Sequence, residues 1–326
     1  MMKALSLFSG CLGLDLGLEA AGIKTVAHVE KDPACLATIR ANKPKAVCFE
    51  DIRSVTGAEI KKRFGRIDVV PAGPPCQPFS TAGRMGAVTD PRGQMIFEFV
   101  RVVKEVKPKY FVMENVTGIY NAKVDGRVSV VDWIAKRLRA IGYSVDDWIL
   151  DAYDFGVPQK RKRVIMIGSL DGHVKKPEGH RPIVSNIREV IEELEDNPGE
   201  CTKFSPRVQR IMERVPEGGN WRDLTARMRR EAMGNAINSS GGRSAFYRRT
   251  HRDRPSPTIT TCPTQRATTL CHPTQTRPFS VRECHMIQGF PPLWKLVGST
   301  AQKYKMLGNA VPPVLGEAIG RSLIGE

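Results

Sequence analysis

Over residues 1–170, short apolar runs rich in β-branched residues alternate with amphipathic stretches. The runs at 4–8, 25–30, 46–49, 67–72, 110–114, 144–150 and 163–168 have the length and composition of strands. Segments 14–21, 33–42, 58–64, 94–106 and 130–141 carry the helical period. Such alternation predicts βαβ units, hence an α/β fold with a mostly parallel sheet and helices on both faces. Ligands of such a sheet sit at the carboxyl ends of its strands. From about residue 171 the periodicity fails: Gly172, Pro177, Gly179, Pro182 and Pro198-Gly199 interrupt it, and arginines accumulate. Residues 171–297 read as a smaller, irregular second domain. Segment 298–326 regains helical character after Gly308-Asn309-Ala310-Val311-Pro312-Pro313 and is grouped with 1–170.

The chain has 326 residues, room for about two domains at roughly 150 residues each. A hydrophobic fraction of 41% supplies a core and excludes a mainly disordered chain. Fifty Lys+Arg against 34 Asp+Glu leave a formal net charge of +16, which points to a polyanionic partner. Residues 201–260 hold 13 Lys+Arg and 5 Asp+Glu, so half of the net charge lies on under a fifth of the chain. With Trp221, Phe246 and Tyr247 interleaved, this stretch reads as a nucleic-acid surface rather than a merely solvated face. No apolar stretch reaches the roughly 18 residues of a membrane span. Asp15 and Glu19 interrupt the N-terminal apolar run, and Gly10, Gly13 and Gly17 suit a secretory leader poorly. Eight Cys without a CxxC pair read as reduced thiols. The spacing of Cys262, Cys271-His272 and Cys284-His285 matches no common zinc pattern, so no metal is expected.

Three places carry candidate chemistry. The first strand runs into Phe8-Ser9-Gly10-Cys11-Leu12-Gly13, where glycines allow a tight turn and a close ligand. The spacing is Gly10-x-x-Gly13, so the fingerprint that cradles a pyrophosphate is absent. A nucleoside lacking a pyrophosphate needs only a turn, an acid for its ribose and an apolar face for its base. Glu30 ends the second strand at about the 20-residue offset of a ribose-binding acid. Asp51 follows the third strand, and Phe8 offers a ring; an ordinary turn flanked by surface acids is the competing reading. The fourth strand leads into Gly73-Pro74-Pro75-Cys76-Gln77-Pro78-Phe79-Ser80, a proline-stiffened loop that presents Cys76 as a nucleophile rather than an inert thiol. The fifth strand ends in Glu114-Asn115-Val116, beside strand four in this topology, which brings Glu114 near Cys76. Lastly, Gln159-Lys160-Arg161-Lys162-Arg163 opens a strand whose alternation turns Arg161 and Arg163 to one face, suited to a base carbonyl and phosphates, or else forms a solvated hairpin.

The segments FSGCLGLDLG, GPPCQPFS, ENV, QKRKR, RECHMIQGFP and GNAVPP occur in order from end to end of the chain. Together they closely resemble the DNA (cytosine-5) methyltransferase family of the bacterial restriction-modification type. The resemblance implies a Rossmann-like domain that binds S-adenosyl-L-methionine, from 1–170 and 298–326, with a target-recognition domain from 171–297. It implies Cys76 as the nucleophile toward cytosine carbon 6, Glu114 as the acid at ring nitrogen 3 and the amino group, and Arg161 and Arg163 as the arginines beside a flipped base. It implies a cofactor set of Phe8, Ser9, Gly10, Gly13, Leu14, Glu30, Lys31, Asp51, Ile52, Gly73, Pro75, Asn309, Ala310 and Val311. Gln77, Ser80, Thr258, Arg248 and Arg249 are the expected contacts to double-stranded DNA. A separately acting restriction endonuclease, a cytoplasmic, nucleoid-associated setting and no membrane partner also follow from the resemblance. Leu12, Pro71 and Met286 depart from the family pattern without removing a reacting group. A tRNA cytosine-5 methyltransferase and a catalytically silent DNA-binding module are the alternatives. An amino-group methyltransferase is set aside, because Gly73 precedes Pro74-Pro75 and Cys76 follows.

Overall fold

In chain order the first elements are β1 (Lys3–Leu7), α1 (Gly13–Ala20), β2 (Lys24–Val29), α2 (Pro33–Asn42), β3 (Cys48–Phe49), α3 (Gly57–Phe64), β4 (Val69–Ala72), α4 (Gln94–Val106) and β5 (Tyr110–Val116). A small hairpin of β6 (Lys123–Val124) and β7 (Val128–Ser129) leads to α5 (Val130–Arg139), β8 (Ser144–Asp151), β9 (Gln159–Lys160) and β10 (Lys162–Ser169). Then follow α6 (Arg188–Ile191), α7 (Pro206–Met212), α8 (Ala226–Met233), β11 (Arg248–Arg249), β12 (Ser256–Pro257), β13 (Leu270–Cys271), α9 (Val281–Ile287), α10 (Thr300–Asn309) and α11 (Pro313–Ile324). The structure is a computed structural model that describes residues 1–75, 94–124, 126–238 and 245–325.

Seven strands make one sheet in the order β3-β2-β1-β4-β5-β10-β8. Its first four pairings are parallel, and β10 runs antiparallel to both β5 and β8. Every residue of β4 is buried, as are all of β5 but its last, the mark of strands covered on both faces. Phe99 of α4 and Tyr143 pack edge-on against Phe111 of β5, with centroids 5.9 and 5.2 Å away. Ile134 and Leu138 of α5 join the same core. Local signals start the helices: Asp32 accepts from Ala34 N at 3.0 Å with Pro33 at the first position of α2, and Thr56 accepts from Glu59 N at 3.2 Å at the start of α3.

The chain divides into two compact units. The first comprises 1–155, 162–181 and 311–326; the second comprises 156–161 and 182–310. Three stretches fall in the other unit from the one expected: 156–161, 171–181 and 298–310. Residues 171–181 stay with the first unit, because Arg181 Nε and His180 Nε2 pair with Glu317 of α11 at 3.0 and 3.1 Å, and Ser322 donates to the Lys175 carbonyl at 2.5 Å. Helix α10 belongs to the second unit and runs into the Gly-Asn-Ala-Val segment, ending at Asn309, whereas helical character was expected only after that segment; Tyr304 Oη donates to the Phe279 carbonyl at 2.7 Å. The predicted strands 46–49 and 67–72 shorten to Cys48–Phe49 and Val69–Ala72: only His28 and Val29 of β2 find partners on β3, and the pairing of β4 with β1 and β5 begins at Val69.

The second unit has its own core of Phe204, Ile211, Met212, Val215, Leu224, Met233 and Tyr247. Its strands are two residues long, so side-chain bonds hold it. The buried Glu283 caps α9, pairs bidentately with Arg277 at 2.7 Å and lies 3.4 Å from His272. Burial would raise the Glu283 carboxyl, but the Arg277 and His272 contacts bring it down to about 2. Among the described residues no helix is long and apolar enough to cross a membrane.

Candidate active site

The parallel registers set a row across the first unit. Val29, Leu7, Ala72 and Met113 are neighbours on β2, β1, β4 and β5. The next residue on each strand is therefore Glu30, Phe8, Gly73 and Glu114, gathered along the carboxyl edge of the sheet. Four residues proposed from sequence thus share one edge, although they are spread from residue 8 to residue 114.

The turn from β1 to α1 is unusual in backbone conformation. Phe8, Gly10 and Leu12 have φ of 56°, 55° and 70°. For Phe8 and Leu12 that region costs about 1–3 kcal/mol each, so the surroundings must impose it. Gly10 N donates to Glu30 Oε2 at 2.7 Å, and Lys31 N and Asp32 N donate to Glu30 Oε1 at 2.8 and 2.7 Å. Leu12 N closes onto the Ser9 carbonyl at 2.9 Å, and Gly13 opens α1 with Leu14 behind it. A Cβ built on Gly10 meets nothing within 4 Å, so this face of the turn is open space. The Ser9 hydroxyl does not face that space: it is turned inward, 2.9 Å from Ser6 Oγ.

Asp51 follows β3 and caps a single turn, Ile52–Ser54. Arg53 reaches both carboxylate oxygens, with Nη2 2.6 Å from Oδ2, and these bonds hold the Asp51 carboxyl at about 2. Ile52 is 4% exposed and belongs to the core, so any ligand contact from it falls to its backbone.

Gly73 follows β4, and a Cβ placed on it would lie 3.6 Å from Glu114 Oε2. Glu114 is 8% exposed, and Arg163 Nε of β10 sits 2.8 Å from its Oε1. Arg163 Nη1 donates to the Lys162 carbonyl at 2.8 Å, which orients the guanidinium. Asn115, which the sequence reading passed over, donates from Nδ2 to the Pro74 carbonyl at 3.1 Å and accepts from Val116 N at 2.9 Å. It thereby ties the start of the proline loop, where Pro75 is half-buried, to β5; its signals in the sequence were its place beside Glu114 and in the ENV segment. Cys76, Gln77 and Ser80 lie outside the described residues.

Arg161 departs from expectation. It precedes β10, is fully buried in the second unit, and donates from Nη1 to the Ile259 carbonyl at 3.0 Å and from Nη2 to the Gly308 carbonyl at 2.7 Å. The strand alternation that would pair it with Arg163 begins one residue too late. Nearby, Thr258 Oγ1 donates to the Lys160 carbonyl at 2.9 Å, and β9 pairs with β12. Arg249 also departs: it is 6% exposed and bonds the carbonyls of Val215, Met212 and His272 at 2.8, 2.6 and 3.1 Å. Its donors hold loops together rather than face solvent. Arg248 is the opposite case: it is half-buried, its Nε has no hydrogen-bond partner, and burial pulls its pKa down. Asn309 is exposed at the end of α10; Ala310 caps that helix, and Val311, 6% exposed, starts the last segment of the first unit.

Comparison with known proteins adds an independent line. A family model described as C-5 cytosine-specific DNA methylase matches residues 2–325. Type II methyltransferase M.PspPI of Psychrobacter sp. (strain TA137) is 39% identical over 328 residues, covering 98% of this chain and 78% of that protein. Type II methyltransferase M.Sau96I of Staphylococcus aureus is 37% identical, covering 97% and 74%. Among solved structures, a putative DNA modification methyltransferase encoded within an E. coli prophage superposes with a TM-score of 0.73 at 22% identity, covering 99% of both chains.

Proposed function

Because this chain belongs to the family of C-5 cytosine-specific DNA methylases and is a cytosine-5 DNA methyltransferase, we propose that it takes S-adenosyl-L-methionine as methyl donor and modifies a cytosine within a short sequence of double-stranded DNA through a covalent adduct on Cys76. The observation that carries this reading is the row of Glu30, Phe8, Gly73 and Glu114 along one edge of the sheet, with Arg163 on Glu114.

The residues at the first turn fit such a donor. Open space faces Gly10, a carboxylate already fixed by three backbone amides stands beside it, and Phe8 supplies a ring. The Glu30 oxygens retain lone pairs for ribose hydroxyls, and Asp51 keeps acceptor capacity beyond Arg53 for an amino group. Bound there, S-adenosyl-L-methionine supplies an electrophilic methyl group on a sulfonium. Gly73, Pro75, Asn309, Ala310 and Val311 complete the proposed cofactor set.

Cytosine carbon 5 is a weak nucleophile until the Cys76 thiolate adds to carbon 6, which places an enamine across the ring. Methyl transfer to carbon 5 would break the donor's carbon–sulfur bond and release a neutral thioether, S-adenosylhomocysteine; loss of the carbon 5 proton to solvent would then re-form the double bond and expel the thiolate. Glu114 contacts ring nitrogen 3 and the exocyclic amine, where an interaction that strengthens in the transition state accelerates the reaction. Arg163 orients that carboxylate. Asn115 anchors the loop that carries Cys76. The target atom is unreachable inside a stacked duplex, so the base is swung out at a cost of about a few kcal/mol. The basic second unit, with Thr258 and Arg248 among its contacts, offsets that cost through DNA phosphates and bases. In the cell the modification protects host DNA from a separately acting restriction endonuclease in the cytoplasm.

The reading is tested by incubating the protein, S-adenosyl-L-methionine and duplex oligonucleotides carrying 5-fluorocytosine, which cannot lose its substituent after methyl transfer. Mass spectrometry is expected to find a conjugate on the peptide containing Cys76, absent in Cys76→Ser. A protein that methylates DNA yet forms no such conjugate would remove Cys76 from the reaction.

A further inference from the structure

A buried ionisable pair of the first unit takes no part in the mechanism. Asp15 of α1 is 1% exposed and His28 of β2 is 2% exposed, with His28 Nδ1 3.3 Å from Asp15 Oδ1. A buried pair of this kind loses solvation that mutual attraction often fails to return, so stability alone does not account for it. The other carboxylate oxygen does something specific: Asp15 Oδ2 accepts from Ser6 Oγ at 3.0 Å. Ser6 Oγ accepts in turn from Ser9 Oγ at 2.9 Å, and Ser9 Oγ lies 3.2 Å from the Ser6 carbonyl. This relay ends on the residue between Phe8 and Gly10, both held at positive φ. Glu30 grips the same turn from its other side through Gly10 N. Burial by itself would raise the Asp15 carboxyl, but His28, Lys43 and the Ser6 hydroxyl bring it below its usual range, which keeps it an acceptor.

We propose that Asp15, oriented by His28, is a positioning residue: through Ser6 and Ser9 it holds residues 8–12 in the conformation that receives the methyl donor. The proposal rests on the S-adenosyl-L-methionine reading of that turn. It also explains the charge. An apolar residue at 15 would pack equally well but leave the Ser6 hydroxyl without an acceptor, and the turn would relax toward negative φ.

The test compares Asp15→Leu, Asp15→Asn and Ser9→Ala with the wild type in three measurements. Calorimetry reads the affinity for S-adenosylhomocysteine; Asp15→Leu is expected to weaken it about tenfold, about 1.4 kcal/mol, with Asp15→Asn and Ser9→Ala intermediate. Steady-state kinetics is expected to show KM for the donor rising in step while kcat at saturation stays within about twofold, a split that general destabilisation does not produce. Amide hydrogen exchange of the ligand-free protein is expected to be faster at Gly10 and Leu12 than in the wild type, while the strand amides of β1 keep their protection. Ser9→Ala removes one atom and guards against a failure of the Asp15 variants to fold. Variants that fold, bind S-adenosylhomocysteine as the wild type does and exchange at wild-type rates in the turn would overturn the proposal. If the wild type itself binds no S-adenosylhomocysteine, the cofactor reading falls, and the exchange measurement still decides whether Asp15 holds the turn.

Discussion

Arg163 meets Glu114 through Nε and spends Nη1 on the Lys162 carbonyl. A lysine at 163 keeps the charge but loses the fork, and with it the fixed angle at which the carboxylate is presented. Arg163→Lys is therefore expected to slow single-turnover methyl transfer about 10- to 100-fold, about 1.4–2.8 kcal/mol on the barrier. DNA affinity should change little, because the guanidinium faces the carboxylate. A single-turnover rate indistinguishable from the wild type would mean that Glu114 needs no such partner. At this scale the chemistry-bearing types were legible in position: Glu114, Glu30 and Phe8 announced themselves at the ends of strands, and the strand registers make those positions neighbours. The arginines were not. Arg161, Arg163 and Arg249 carry identical donors, and only burial and nearby carbonyls separate the two that serve the fold from the one that meets Glu114.

At the scale of elements, two glycines seven residues apart do different work. Gly10 needs its positive φ and has open space around a built Cβ. Gly17 lies inside α1 at ordinary helical φ, but a Cβ there would be 2.1 Å from the Pro313 carbonyl at the start of α11. Gly10→Ala is expected to cost about 1–2 kcal/mol of stability, from the left-handed conformation alone. Gly17→Ala forces α1 and α11 apart and is expected to cost about 3 kcal/mol or more. Urea melts of both variants check the order; a Gly17→Ala protein as stable as Gly10→Ala would show that the helices separate freely. The elements of the first unit were readable because strands covered on both faces leave continuous apolar runs, and helices leave a period. The second unit resisted, because strands as short as β11, β12 and β13 have no period to leave. Its order comes from Arg249, Glu283 and His272 bonding across long stretches of chain.

For the whole molecule, charge decides how binding responds to its surroundings. A net charge of +16, half of it in residues 201–260, implies that many counterions leave when DNA binds. The logarithm of the binding constant is expected to fall with the logarithm of salt by about 0.9 per phosphate neutralised, a steep loss between roughly 50 and 200 mM. Filter-binding titrations across that range check it, and a flat response would mean that the basic stretch does not meet the phosphate backbone.

What the amino-acid order by itself determined was everything that neighbours in the chain can carry: the alternating strands and helices, the turn that needs Gly10, the proline loop before Cys76, and the class of reaction that those segments imply together. What only the tertiary structure decided was which polar groups are already spoken for. Arg161 bonds carbonyls 98 and 147 positions away, and Asp15 on α1 finds its base on β2 and its hydroxyl on β1. Hydrogen bonds have a reach of about 3 Å, and acceptors so distant in sequence come within it only after the backbone has closed.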